Sequence, residues 1–315
     1  FVGLSAGGLI VASSASVFHI AQFKKVAVPA IILSTVCICC AGMFVLIDLG
    51  GIQRIWNVLV SPNPMSPLLW DICVITCYLV INVLYLYFMT SKRANPHAVS
   101  IISRFALPIA ILVHSVTAWI FGLQLAREAW YSAIMAPIFV ASAMDSGLAL
   151  LLIVLLALQA AKVFEPTAWK FAKEYKDEPY ILFVSSGMGY PEAFRFSSCS
   201  VEEVFHIKTQ AMNSAEFFHG CFEIVDEDTA VVLVKNEDGA RSVDERVERF
   251  LKNYGKKYII VDMKDFAMEG IREEYRSYFT PAFLNMIFGG LTFSCLHETT
   301  GLGFDTRKYY RVVQY

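Results

Sequence analysis

The chain has 315 residues, with 26 Lys and Arg against 28 Asp and Glu, and 56% of it is hydrophobic. Residues 1–164 hold eight basic and four acidic side chains, a balance of +4, which leaves 18 and 24 for residues 165–315, a balance of −6. The charged half has no basic stripe, which argues against a nucleic-acid partner, and the shift in composition divides the chain into two domains at about Phe164.

The chain opens at Phe1 without a basic n-region or a cleavage site and reads as a fragment. A helix needs about 20 mostly apolar residues to cross the hydrocarbon. Five stretches meet that requirement, roughly 1–21, 26–50, 67–90, 101–123 and 133–161. Lys24 and Lys25 follow the first and Lys92 and Arg93 the third, whereas the second and fourth loops carry only Arg54 and Arg127. The positive-inside rule places the Lys-bearing loops in the cytoplasm, and Arg104 can snorkel to that side. After five spans, the charged half is also cytoplasmic, on a multi-pass protein of the inner (plasma) membrane.

The loop at 48–71 carries Trp56 and Trp70 as interfacial aromatics, stiffened by Pro62, Pro64 and Pro67. His114 and Asp145, with His19 and Asp71 at the edges, are ionisable groups in apolar surroundings, which mark proton or ligand sites or else satisfied contacts between helices. His19 and His114 also offer a rival reading as two haem ligands. Cys37, Cys39, Cys40, Cys73 and Cys77 lie in apolar runs as small hydrophobes. Cys37 and Cys40 fit C-x-x-C without a second pair or a βαβ context. Cys199, Cys221 and Cys295 match no zinc spacing, so the expectation is no metal site.

"GLSAGG" (3–8), "DLG…R" (48–54), "SPNPMSPLLWD" (61–71), "HSVTAWIFGLQLAREAW" (114–130) and "APIFVASAMDSG" (136–147) occur in this order. Over residues 1–162 the chain thereby resembles the NrfD/polysulfide-reductase membrane-subunit family. The resemblance implies electron exchange between a membrane quinone, menaquinone or ubiquinone, and an iron–sulfur or cytochrome partner subunit. It implies no redox centre in the bundle itself and a quinone site near the outer face. Asp71, His114 and Asp145 are then the candidates for quinol contact or proton transfer. It also implies more spans than five.

After Glu165 short apolar runs at 180–187, 230–236 and 257–265 alternate with helical periodicity at 200–213 and 242–253. That alternation predicts an α/β domain with a parallel sheet, with ligands at the carboxyl ends of strands, in the loops after Val184 and Val234. "SSGMGYPEAF" (185–194) is such a loop, either a tight turn or a binding loop, and matches neither a dinucleotide nor a Walker pattern. Glu202 and Glu203 are expected at a helix start, where acids are favoured by the dipole.

"EEVFHIKTQAMNSAEFFHGCFEIVDEDT" (202–229), with "YKDEPYIL" (175–182), "NEDGARSVDERVERFLKNYG" (236–255) and "DTRKYYRVVQY" (305–315), resembles the second sugar-isomerase (SIS) subdomain of the fructosamine deglycases. In that family a glutamate 16 residues before the histidine of an H-G pair moves the sugar proton, which here selects Glu203 and His219. The resemblance implies that Glu203 is the general base and acid, that His219 assists ring opening, and that Ser185, Ser186, Gly187, Arg307 and Lys308 hold a sugar phosphate. It implies no metal or organic cofactor in this half and a site commonly completed by a second subunit of a homo-oligomer. The family's first sugar-isomerase subdomain, which carries most of the phosphate loop, has no counterpart here, so weak or absent deglycase activity is expected. The chain as a whole reads as two joined gene fragments, or as a membrane-tethered sugar-phosphate sensor.

Overall fold

Small side chains decide how the first unit packs. In the computed structural model, which describes every residue except Leu49, 92–94, Ala129 and Tyr315, and not the side chains of Ile52, Arg54 and Leu59, two compact units form, Phe1–Leu152 and Ile153–Tyr315. The first is helical: α1 (Val2–Val17), α2 (Ala21–Lys24), α3 (Ala27–Asp48), α4 (Trp56–Val60), α5 (Pro67–Thr90), α6 (Pro96–Gly122) and the start of α7 (Met135–Glu174). Eleven consecutive residues of α1, Ser5 to Ala15, are buried. A Cβ on Gly7 would stand 2.6 Å from the Gly147 Cα of α7, and one on Gly8 2.8 Å from the Ala30 carbonyl of α3. Backbones this close are how helices associate in lipid, where burying apolar surface gains nothing.

Hydroxyl groups tie the same helices together. Ser5 Oγ donates to the Ser34 carbonyl at 2.7 Å and lies 2.7 Å from the Tyr78 hydroxyl. Ser34 Oγ donates to Asn82 Oδ1 at 2.7 Å, and the Tyr85 hydroxyl to the Ala12 carbonyl at 2.9 Å. Every polar atom of this cluster would otherwise sit unpaired in a dry interior, which is costly. Large apolar side chains such as Val36, Phe44, Val80, Leu84 and Phe105 point outward and stay exposed, as suits a surface facing lipid.

Four of these helices, α3, α5, α6 and α7, are long and apolar enough to span a membrane. The expected first span is realised as the shorter α1, which at about 1.5 Å per residue is near 24 Å long. A fifth long apolar stretch, Glu273–Thr300, lies in the second unit. It opens with Glu273, Glu274 and Arg276 and buries Phe283, Leu284, Ile287 and Phe288 in that unit's core, so its apolar face covers a sheet. Of the loop charges used to orient the bundle, Lys92 and Arg93 lie outside the described residues.

The second unit is built on a four-stranded parallel sheet in the order β2-β1-β3-β4, with β1 Ile181–Ser185, β2 Thr209–Asn213, β3 Ala230–Lys235 and β4 Tyr258–Asp262. The central strands β1 and β3 are wholly buried and apolar up to their last residues, Ser185 and Lys235, the pattern of strands covered on both faces. One face receives Phe164 and Phe171 from the C-terminal part of α7 and Tyr175 just after it, together with Phe196 and Phe288, whose rings stack at 4.9 Å. The other receives Val247 and Leu251 of α9 (Arg241–Tyr254) and Phe217.

The helix expected over 200–213 is corrected. Helix α8 (Tyr190–Arg195) continues as π-helical turns through Phe196–Glu202, and residues 209–213 form β2. The Ser197 and Thr209 hydroxyls meet at 2.7 Å and Thr209 starts a ladder with Ile181, so pairing with β1 overrides the helical periodicity. Glu202 and Glu203 therefore stand at the end of a helical stretch rather than its start.

Charge closes the carboxyl end of the sheet. Lys235 Nζ lies 2.6 Å from Glu248 and 2.8 Å from Asp262, and Arg241 donates two bonds to the Asp262 carboxylate, at 2.8 and 2.7 Å. Burial alone would raise the Asp262 pKa, but the bonds from Arg241 and Lys235 hold it well below the ordinary carboxylate range.

Two outcomes follow from this packing. Gly147→Val, which wedges α7 off α1, lowers the stability of the detergent-solubilised chain by about 1–3 kcal/mol, whereas Ala149→Val on the exposed side of α7 leaves the unfolding midpoint unchanged. Asp262→Ala removes the carboxylate that Lys235 and Arg241 share, leaving them to Glu248 and Glu245, and costs about 1.5–3 kcal/mol in the second unit. Because the folded pKa is depressed, that gap is complete above about pH 4 and closes as pH falls through the folded value; unfolding titrations at several pH values measure it.

Candidate functional site

In the helical unit Asp71 stands in the first turns of α5, half-buried. Thr117 of α6 donates to its Oδ1 at 2.9 Å. His114, one turn earlier on α6, is 6% exposed, and its Nδ1 is buried without a hydrogen-bond partner. A Cβ on Gly3 would stand 3.3 Å from its Nε2 and 3.7 Å from Ser146 Oγ, so the first glycine of "GLSAGG" makes room for the imidazole. Asp145 is on the exposed side of α7 while its neighbour Ser146 turns inward. The structure thus brings Asp71, Thr117 and His114 to one end of α6 and leaves Asp145 apart from them. At that same end Trp119, Gly122, Leu123, Tyr131, Ser132 and Ala133 line a cavity of about 660 Å³, chiefly apolar.

The paired-histidine haem reading does not fit this geometry. His19 follows the C-terminus of α1, is exposed, and lines a different cavity with Lys24 and Phe88. His114 faces Gly3 at the other end of α1. The helix between them spans about 20 Å, too far for two ligands of one iron.

In the α/β unit a cavity of about 430 Å³ gathers Glu202, Glu203, His206, Lys208, Arg307, Lys308 and Tyr310. Two segments build it: the end of the π-helical stretch with the turn into β2, and the C-terminal tail. The Arg307 guanidinium forms an ion pair with Glu203, donates through Nε to the Phe304 carbonyl at 3.0 Å, and lies over the Tyr310 ring at 5.1 Å. Glu202 is occupied by the Thr209 amide at 3.1 Å. His206 adopts a left-handed conformation, φ 57°, which turns the chain from helix to strand. Burial first, then Lys308 and Arg307, lower its pKa.

Glu203, Arg307 and Lys308 are therefore brought together, while the other expected residues lie elsewhere. His219 is exposed, with Nδ1 2.9 Å from Glu216 Oε2. Ser185 and Ser186 are buried beneath the surface, where Asn236 Nδ2 donates to the Ser186 carbonyl at 2.7 Å and to Ser185 Oγ at 3.3 Å. Gly187, φ 47°, lies against the Asp238 carboxylate where any Cβ would collide, and the Met188 amide donates to that carboxylate at 2.9 Å. Of the two readings of "SSGMGYPEAF", this geometry is a tight turn. Sequence reasoning passed over His206 and Lys208, because both were placed inside a helix; the signal was Thr209-Gln-Ala-Met-Asn, a run able to pair as a strand.

Known proteins of two kinds are similar to this chain. The fructosamine deglycase FrlB of Bacillus subtilis is 33% identical over 129 residues, 41% of this chain and 39% of that protein. A solved Bacillus subtilis structure, described as a phosphosugar isomerase, is 23% identical with a TM-score of 0.49 over 69% of this chain and 58% of that one. An Hdr-like menaquinol oxidoreductase integral membrane subunit of Archaeoglobus fulgidus is 33% identical over 152 residues, 48% of this chain and 38% of that protein. The chain spans 38–44% of the length of the curated relatives it matches. The profile of the polysulphide reductase NrfD family matches residues 1–173. With its multi-pass apolar bundle, this chain belongs to the NrfD family, and its second unit is an α/β unit built on a parallel sheet.

Proposed function

We propose that the first unit is the quinone-interacting membrane subunit of an oxidoreductase complex. The observation that carries this reading is the half-buried carboxylate of Asp71, held by Thr117 at the end of α6 where Trp119 and Tyr131 line an apolar cavity. An apolar pocket with few polar groups suits a quinone ring. A quinol that gives up two electrons must also release two protons, and a carboxylate within reach of the ring oxygen accepts one. The electrons leave through a partner iron–sulfur or cytochrome subunit. The charge bias of Lys24 and Lys25 supports an orientation with the Asp71 end outside an inner membrane and the α/β unit on its cytoplasmic side.

Menaquinone titrated into liposomes holding the chain is expected to quench tryptophan fluorescence saturably. Trp119→Phe removes most of that signal, and Asp71→Asn weakens the affinity about tenfold, the cost of one charge-assisted hydrogen bond. Quenching that rises linearly with quinone and ignores both substitutions contradicts the reading.

A second reading rests on a separate observation, the cavity that pairs Glu203 with Arg307 and Lys308. In this reading the Glu203 carboxylate takes a proton from C1 of a 6-phosphofructosyl amine, with the C2 carbonyl as electron sink, and returns it at C2. As C2 is protonated the nitrogen lone pair closes the C1–N double bond, and water splits the resulting Schiff base into glucose 6-phosphate and the amine. His206 faces the same cavity as a neutral imidazole for ring opening, the role assigned above to His219. Any glucose 6-phosphate release by the chain should fall about 10²–10⁴-fold in Glu203→Ala. Release at an unchanged rate removes Glu203 from the chemistry.

A further inference from the structure

The parallel sheet of the second unit has two ends, and the Glu203 cavity occupies only one of them. Lys208 immediately precedes the first residue of β2, so that cavity lies at the amino end of the strands. At the carboxyl ends of β3 and β4, in the loops following Lys235 and Asp262, a separate cavity of about 420 Å³ is lined by Glu237, Arg241, Lys264, Glu273 and Arg276. The two share no residue. Carboxyl ends of parallel strands are where α/β sheets bind ligands.

The partners of each side chain reveal what this second cavity lacks. Arg241 is fully committed, to Asp262, to Glu245 at 2.9 Å and to the Asn236 carbonyl at 2.8 Å. Arg276 is anchored only through Nε, which donates to the Ile271 carbonyl at 3.1 Å. Among the described residues its two Nη groups make no hydrogen bond or ion pair, and neither does the Lys264 ammonium. Glu237 Oε2 is buried with no donor facing it. Burial raises the Glu237 pKa against the pull of Arg276, Lys264 and Arg241. Two cations without a direct ion pair among the described residues and one buried acceptor without a donor therefore line one space, together with the Glu273 carboxylate.

We propose that this cavity is a second ligand site, for a hydroxylated phosphate monoester. Its phosphate lies between Arg276 and Lys264, and one of its hydroxyls donates to Glu237 Oε2. A planar guanidinium fixed through Nε presents both Nη groups to a phosphate in the geometry these pairs prefer. The N-terminus of α9, beginning at Arg241, adds its dipole to the same region. The site does not depend on the Glu203 cavity being catalytic.

The test uses the full chain in detergent with Arg307→Ala and Lys308→Ala, which silences phosphate binding at the amino end. Glucose 6-phosphate and inorganic phosphate are titrated in separate calorimetric runs. Saturable binding of glucose 6-phosphate is expected to persist. It should weaken at least tenfold with Lys264→Ala, an exposed side chain whose loss leaves the fold intact, and further with Arg276→Ala. Glu237→Gln should weaken glucose 6-phosphate but leave inorganic phosphate unchanged. Absence of binding in the silenced chain, binding that ignores Lys264→Ala and Arg276→Ala, or equal affinity for the two probes would overturn the proposal.

Discussion

Forty residues of helix, Met135–Glu174, have to satisfy two solvents, and the two units depend on how they do so. Toward its start α7 offers the bundle small groups, Ala143 and Gly147, which let the α1 backbone approach. Toward its end it offers Phe164 and Phe171, which with Tyr175 just beyond it fill one face of the parallel sheet. Burying such a large apolar side chain is worth about 1.5–3 kcal/mol in water and nothing comparable in lipid. The same helix is thus held by close backbone contact in one unit and by aromatic burial in the other.

The bundle's polar residues divide by partner. Ser5, Ser34, Tyr78 and Asn82 satisfy one another, which accounts for them as structure. His114 and Asp71 differ: one has an unpaired ring nitrogen and the other a single hydroxyl donor. Costly groups left incompletely satisfied in a dry interior mark function more often than packing does. The contrast separates the residues that hold the bundle from those available to a quinone.

Much of this was legible in the sequence. The five apolar stretches, the strands ending near Ser185, Lys235 and Asp262, and helix α9 all follow from hydrophobic period and turn residues, and the ordered motifs of the first half identified the NrfD family. What was not legible had non-local causes. Strand β2 carries helical periodicity and forms because Ile181 is free to pair with Thr209. That pairing ends the preceding helix early, turns His206 toward Glu203 and moves His219 away. Ser185 and Ser186 resembled a binding loop because the groups that absorb their polar atoms, Asn236 and the Ala240 carbonyl, lie some 50 positions on and meet them only in the fold.

The claim on which the account rests is that the C-terminal part of α7 belongs cooperatively to the α/β unit. Hydrogen–deuterium exchange on the full chain carrying Asp262→Ala tests it most directly, because that substitution weakens the sheet's carboxyl end without touching a residue of the bundle. The account predicts that amides 164–174 lose protection together with those of β1 and β3, while amides of α3 keep theirs. Unchanged protection at 164–174 with a loosened sheet would contradict it.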